Sequence, residues 1–208
     1  MSHYYSSKQT SKDIRKTFTS HLRNRPFSFV SSSGVFSKNA VDNGTYVLAN
    51  TMTIKNGDAV LDMGCGIGIL GIVAASMGAK VTMSDVNSRA VSLAKQNAKL
   101  NKIHAHILLG NLYEKISDKD FDVILSNPPQ SAGKQVCFQL IEQAKDFLKE
   151  NGTLQLVARP NKGGKTLAQK MENVFGNVCI LGKGSGFAVY ASRKTSLELN
   201  NPLCSERD

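Results

Sequence analysis

No stretch of the chain approaches the ~18 consecutive apolar residues that a bilayer-spanning helix needs. The opening MSHYYSSKQTSKDIRK has no apolar core of the kind a secretory signal carries, so neither secretion nor a membrane is expected and a cytoplasmic protein is. The four cysteines, Cys65, Cys137, Cys179 and Cys204, stand far apart and form no CxxC pair. That spacing argues against a zinc site and for reduced thiols. His104 and His106 alternate in a segment with strand character and read as ordinary strand residues, so no metal is expected. Internal repeats and low-complexity linkers are absent. Proline is scarce, five in 208 residues, which makes the adjacent pair Pro128-Pro129 informative. Proline cannot donate a backbone hydrogen bond and is confined to strand ends and edges. The apolar run FDVILSN therefore ends there, at a stiffened corner.

What the chain has in excess is positive charge. Lysine and arginine number 26 against 16 acidic residues, a formal net charge of +10. Residues 1–30 and 159–194 carry nearly all of it, at +5 and +6, while residues 31–158 are close to balanced at +1. Basic flanks around a balanced middle would attract a polyanion, and nucleic acid is the partner expected.

From residue 58 onward strands and helices alternate. DAVLDMG, KVTMSD, HAHILLG, FDVILSN and TLQLVAR read as strands, and the segments between them carry helical apolar spacing. VCILGKGSGFAVYAS reads as two strands around a glycine turn. The fold class expected is α/β: a Rossmann-like, doubly wound, mostly parallel seven-stranded sheet ending in an antiparallel hairpin. The chain divides into a basic extension over 1–24, in which residues 11–23 have the look of a short basic helix, a domain over 25–194 and a tail over 195–208.

The loop LDMGCGIGILG follows the first regular strand, where a doubly wound sheet binds nucleotide-like ligands. Two readings compete. Gly66-Ile-Gly68-Ile-Leu-Gly71 matches the GxGxxG dinucleotide pattern. Asp62-Met-Gly64-Cys-Gly66-Ile-Gly68 matches the D-x-G-x-G-x-G loop of S-adenosylmethionine-dependent methyltransferases. A carboxylate at the strand end would repel a pyrophosphate, whereas it suits a cofactor with a cationic sulfonium and amino group. Asp85 ends the second strand, where an acid accepts ribose hydroxyls in either case. Asn111 ends the third and could accept from an adenine amino group through its amide oxygen.

SGVFS at 33–37, VDNGT at 41–45, the glycine loop, DVN at 85–87, NLYE at 111–114 and SNPP at 126–129 occur in that order. Together they resemble the methyltransferase-small (MTS) domain of the RsmC-like ribosomal RNA guanine-N2 methyltransferases, with the single-domain archaeal members as the expected nearest kin. The resemblance covers about residues 25–194. It implies S-adenosylmethionine as cofactor, held by Asp62, Gly64, Cys65, Gly66, Gly68, Asp85, Val86, Asn111, Leu112 and Asn127. It implies a catalytic Asn127-Pro128-Pro129 corner, whose Asn127 side-chain oxygen and Pro128 carbonyl accept the N–H bonds of a planar amino group. It implies RNA as substrate, in the form of ribosomal RNA or a ribosomal subunit, with guanine N2 first among acceptors. Phe36 and Gln130 would face the substrate, and Arg159, Lys162 and Lys165 would meet the RNA. Lys8, Lys12, Arg15, Lys16, Arg23 and Arg25 are further candidates for RNA contact.

Two departures from the family pattern matter. The residue after NPP is often aromatic and stacks on a flipped base, whereas Gln130 can only hydrogen-bond a base edge. The bacterial ribosomal enzymes also carry a second, degenerate copy of the domain, which this chain lacks. Adenine N6 and a protein glutamine therefore remain as alternative acceptors, and a non-catalytic binding module that assists ribosome assembly remains as a different class. Gly164-Lys165-Thr166 is no phosphate-binding P-loop, since that motif needs a glycine where Arg159 stands.

Overall fold

The computed structural model describes residues 13–35, 40–128 and 133–195. Two strands, β1 (Arg15–Leu22) and β2 (Arg25–Ser32), form a hairpin. Then come α1 (Asn43–Thr51), β3 (Ala59–Met63), α2 (Ile69–Ser76), β4 (Lys80–Asp85), α3 (Ser88–Leu100), β5 (His106–Leu109) and β6 (Phe121–Ser126). The chain continues through α4 (Lys134–Phe147), β7 (Leu148–Ala158), an irregular turn over Pro160–Gly164, α5 (Lys165–Phe175), β8 (Cys179–Gly184) and β9 (Phe187–Arg193).

Seven strands form one sheet in the order β5-β4-β3-β6-β7-β9-β8. All neighbours pair in parallel except β9, which is antiparallel to both β7 and β8. This is the expected sheet with its closing hairpin. Side chains alternate across it, as the period of two requires. Val60, Val123, Leu125, Val157 and Val189 face a core shared with α1, α2, α3 and the β1–β2 hairpin. Leu61, Ile124, Leu154, Leu156 and Ala188 face a second core under α4 and α5. Strands buried on both faces explain the near-continuous apolar runs in the sequence. Each fully buried branched side chain, such as Ile124 or Leu61, contributes about 2 kcal/mol relative to exposure.

The expected basic helix over 11–23 is instead strand β1. Thr17, Phe18 and Thr19 favour the extended chain, and the turn after Leu22 fixes the outcome. Arg23 and Asn24 both have positive φ, 48° and 59°, the signature of a two-residue hairpin turn twisted to match its strands. Asn tolerates this conformation and Arg does not favour it. Arg23 is held there by three contacts to α1: its N–H donates to Asn50 Oδ1 at 2.8 Å, its Nε to Ala49 O at 2.8 Å, and Nη2 to Met52 O. A guanidinium at the carbonyl end of a helix also meets the negative pole of its dipole. Arg25 makes the same kind of contact, donating to Ser76 O at the end of α2.

The free edge of β2 is sealed by two amides of α3. Asn97 Oδ1 accepts from Val30 N at 2.7 Å, and its Nδ2 donates to Val30 O and Ile67 O, each at 3.0 Å. Asn101 repeats the pattern on Ser28, accepting at 3.1 Å and donating at 2.7 Å. Four residues of helix rise about 6 Å, and two residues of strand span about 6.7 Å. Helix and strand are therefore in step, and the two asparagines act as a surrogate strand.

Cys65 and Cys137 are buried and in no disulfide, whereas Cys179 is disulfide-bonded. The reduced-thiol expectation thus holds for the first two and fails for Cys179, whose bonding no spacing in the sequence revealed. Among the described residues, no helix is long and apolar enough to cross a membrane, and no cluster of His, Cys, Asp and Glu could hold a metal ion.

Candidate active site

The sheet reverses its winding at β3, which pairs with β4 on one side and β6 on the other. Ligands of such sheets bind outside the carboxyl ends of the strands at this point. Every motif singled out above that the structure describes converges there.

The glycine loop leaves β3 after Met63. Gly64, Gly66 and Gly68 have φ of 71°, 56° and 88°, so the loop needs a residue without Cβ at each alternate position. Gly64 and Cys65 both donate to Ser84 O, at 2.8 and 3.0 Å, which ties the loop to β4. A Cβ on Gly64 would point into open space.

Asp62 lies beneath the loop rather than on it. It is fully buried, and its Oδ2 accepts from Gly71 N at 2.8 Å in the first turn of α2. Its Oδ1 has no hydrogen-bond partner among the described residues. Burial, and to a lesser extent the charge of Asp85, push its pKa up to about 7, against the pull of the Gly71 bond. Cys65, buried beside the same two carboxylates, has its thiol pushed well above the usual range and is no nucleophile at neutral pH.

Asp85 is 3% exposed at the end of β4. Its Oδ2 accepts from Gly66 N and its Oδ1 from Asn87 N, both at 2.8 Å. The carboxylate thereby ties the glycine loop to the start of α3. Asn87 caps α3 and donates to Gly34 O, and Arg89 donates to Ser33 O at 2.7 Å. Val86 is half-buried between them. At the end of β5, Asn111 is exposed and its amide nitrogen donates to Glu114 at 3.2 Å, which leaves the oxygen as the acceptor. Leu112 follows with a φ of 47°.

Asn127 follows β6, half-buried, with Pro128 buried behind it. Its Nδ2 donates to Asp42 Oδ1 and to Thr45 Oγ1, both at 3.0 Å. Asp42 is also the N-cap of α1, accepting from Thr45 N at 3.0 Å. Both N–H bonds of the amide are thereby committed, and the oxygen is the group left to accept from a substrate. Phe36, Pro129 and Gln130 lie outside the described residues. Arg159, Lys162 and Lys165 are exposed beyond β7, at the same end of the sheet. Of the N-terminal basic candidates, Lys8 and Lys12 lie outside the described residues. Arg15 pairs with Asp13, Arg23 and Arg25 are anchored on helix ends, and Lys16 is exposed.

Sequence reasoning missed the part played by Asp42 and Thr45. The available signal was VDNGT itself, whose Asp stands three residues before a Thr at a helix start. Phe187, whose ring lies under the Arg159 guanidinium at 4.6 Å, gave no signal beyond a strand residue.

The residues fit S-adenosylmethionine. The segment 58–79 contains no lysine or arginine, as a cationic ligand prefers and a pyrophosphate does not. The unpartnered buried oxygen of Asp62 adds negative potential under the loop. The fold and crevice are those of a class I S-adenosylmethionine-dependent methyltransferase. The chain belongs to the methyltransferase small domain family, which matches residues 26–191.

The relatives agree. The uncharacterized protein YbxB of Bacillus subtilis is 36% identical over 92% of this chain and 98% of its own length. The expected archaeal kinship is thus corrected, for the relative matched end to end is bacterial. Ribosomal RNA small subunit methyltransferase C of Photorhabdus laumondii is 35% identical over 77% of this chain and 48% of its own. A T. thermophilus 16S rRNA N2-guanosine methyltransferase (RsmC), solved with AdoMet and guanosine, superposes with a TM-score of 0.78 at 25% identity. It is covered over 51% of its length, by 87% of this chain. The chain therefore spans about half the length of these ribosomal RNA enzymes.

Proposed function

We infer that this methyltransferase acts on an exocyclic amino group of RNA, with guanine N2 of small-subunit ribosomal RNA as the acceptor. The observation that carries the reading is the Asn127 amide, its nitrogen pinned by Asp42 and Thr45, which leaves its oxygen as the group to accept. An amino group on an aromatic ring is a poor nucleophile because its lone pair is delocalised. Two acceptors that grip its two N–H bonds favour a pyramidal nitrogen. Bound S-adenosylmethionine supplies an electrophilic methyl group. Asn127 and Pro128 then contribute orientation and electrostatics rather than a strong base, and the nitrogen sheds one proton once methylated.

Around the cofactor, Asp85 would accept from the ribose hydroxyls, with Val86 beside the base. The Asn111 oxygen and Leu112 would meet the adenine, and Gly64, Cys65, Gly66 and Gly68 would let the backbone approach. Asp62 would act from below, through charge. Lys162 and Lys165, exposed beside the crevice, would meet RNA phosphates. The net charge of +10 and the ribosomal RNA substrates in the names of the relatives support a ribosomal RNA or subunit partner in the cytoplasm.

The test is transfer from deuteromethyl S-adenosylmethionine to ribosomal RNA and to partly assembled subunits lacking the modification, followed by digestion and mass spectrometry. Labelled N2-methylguanosine is expected. Label in N6-methyladenosine or in a protein glutamine would reassign the acceptor.

A further inference from the structure

Three side chains on one face of the sheet meet next to the acceptor corner. Alternation along the strands puts Asn127 on the side of Leu125, Arg159 on the side of Val157, and Phe187 on the side of Val189. Leu125, Val157 and Val189 all belong to the core beneath α1, and Phe187 packs against it. Ala158 pairs with Ala188, so Arg159 and Phe187 stand opposite one another at the ends of β7 and β9. Ser126 pairs with Leu156, so Asn127 lies one strand away from Arg159 and two residues short of it. That offset corresponds to about 8 Å between backbones, close enough for one ligand to touch both side chains.

The arrangement is built as well as adjacent. The Arg159 guanidinium carbon sits 4.6 Å from the centre of the Phe187 ring, a cation–π contact that presets a long side chain. The ring is wedged against the first turn of α1. A Cβ on Gly44 would lie 3.0 Å from Phe187 Cε1 and 3.2 Å from Asp42 Oδ1. The turn that holds Asn127 through Asp42 and Thr45 thus also seats the ring that carries Arg159. Asn127 and Phe187 are both set from one helix start.

We propose that Arg159, preset on Phe187, reads the O6 and N7 edge of the acceptor guanine while Asn127 and Pro128 hold its N2 amino group. The inference rests on the guanine reading above and deepens it by naming the residue that sets base specificity. N2 and N7 lie on opposite edges of the purine, and Asn127 and Arg159 stand on neighbouring strands at the same end of the sheet. A guanidinium fork donates to both O6 and N7. Adenine presents an amino donor where guanine has O6, and Arg159 rejects it. A plain phosphate contact would need only the charge, and no ring beneath it.

The experiment measures kcat/KM for methyl transfer to two short RNAs, one with guanine and one with 7-deazaguanine at the acceptor position. Wild type, Arg159→Lys and Arg159→Ala are compared. Wild type is expected to lose about tenfold on the 7-deaza RNA, the discrimination of one good fork contact. Arg159→Ala loses about as much on the guanine RNA and nothing further on the 7-deaza RNA, as a coupled pair requires. Arg159→Lys keeps the charge and stays as slow as Arg159→Ala. Equal wild-type rates on both RNAs, or full recovery in Arg159→Lys, would overturn the proposal, and the first needs no variant to fold. Failure of the guanine reading itself looks different: wild type would make no N2-methylguanosine on either RNA.

Discussion

Asp42 Oδ1 lies 3.0 Å from Asn127 Nδ2, so a helix cap and a strand end 85 residues apart in sequence share one hydrogen bond. It fixes which end of the amide faces the substrate. Asp42→Ser keeps an N-capping side chain for α1 but is too short to reach Asn127. The expected outcome is a fall in single-turnover rate of ten- to a hundredfold, the order of loss that misplacing a reacting group by about 1 Å brings. The S-adenosylmethionine dissociation constant, measured by calorimetry, stays within about twofold of wild type. A parallel loss of cofactor binding would reduce Asp42 to a structural cap.

Asp62 gives the cofactor-free protein a pH-dependent stability of unusual sign. Its pKa is raised in the fold, from 3.8 to about 7, so the native state holds the proton more tightly than the unfolded chain. The contribution is fully present below about pH 4 and is lost as pH rises through about 7. Its size is on the order of a few kcal/mol. Denaturant midpoints of wild type should fall across pH 4–7 relative to those of Asp62→Asn, which does not titrate. Parallel curves would mean that the carboxylate is already ionised at pH 5.

Asn97 seals a strand edge from inside the protein. Asn97→Leu leaves Val30 N, Val30 O and Ile67 O without their side-chain partner in a buried setting. A loss of roughly 3 kcal/mol follows, and hydrogen exchange at Val30 accelerates. Asn101→Leu, at a half-buried site, costs less. Equal and small effects on thermal unfolding would show that the hairpin docks through its apolar side chains alone.

Arg23 and Lys165 carry the same charge to different ends. Arg23 is spent on the carbonyls of Ala49 and Met52, so Arg23→Ala lowers thermal stability and leaves the salt dependence of RNA binding unchanged. Lys165→Ala leaves stability unchanged and shallows the plot of log affinity against log salt by about one unit. An exchange of these phenotypes would place RNA on the hairpin.

The sheet and its crevice were legible because their signals are local. Period-two apolar runs gave the strands, glycines at alternate positions gave the loop, and a proline pair marked the end of β6. What stayed hidden depends on partners far away in the chain. Residues 15–22 read as helical because lysine and arginine are good helix formers, while the strand depends on a turn that Arg23 holds by gripping α1. Asn97 and Asn101 read as the polar face of a helix, and nothing nearby announces the strand they bind. Asp62 was visible at the strand end, but not its bond to the Gly71 amide in the first turn of α2. Asp42 was visible as a helix cap but not as the residue that aims Asn127.

The most direct test of the central claim is the single-turnover rate of Asn127→Ala on a methyl-accepting RNA, measured with saturating S-adenosylmethionine and with cofactor affinity determined alongside. With Asn127 as the hydrogen-bond acceptor for the target amine, transfer falls by at least a hundredfold, while cofactor affinity changes by no more than a few-fold. Transfer at the wild-type rate would contradict the role assigned to Asn127 and, with it, the acceptor site built around Asp42 and Thr45.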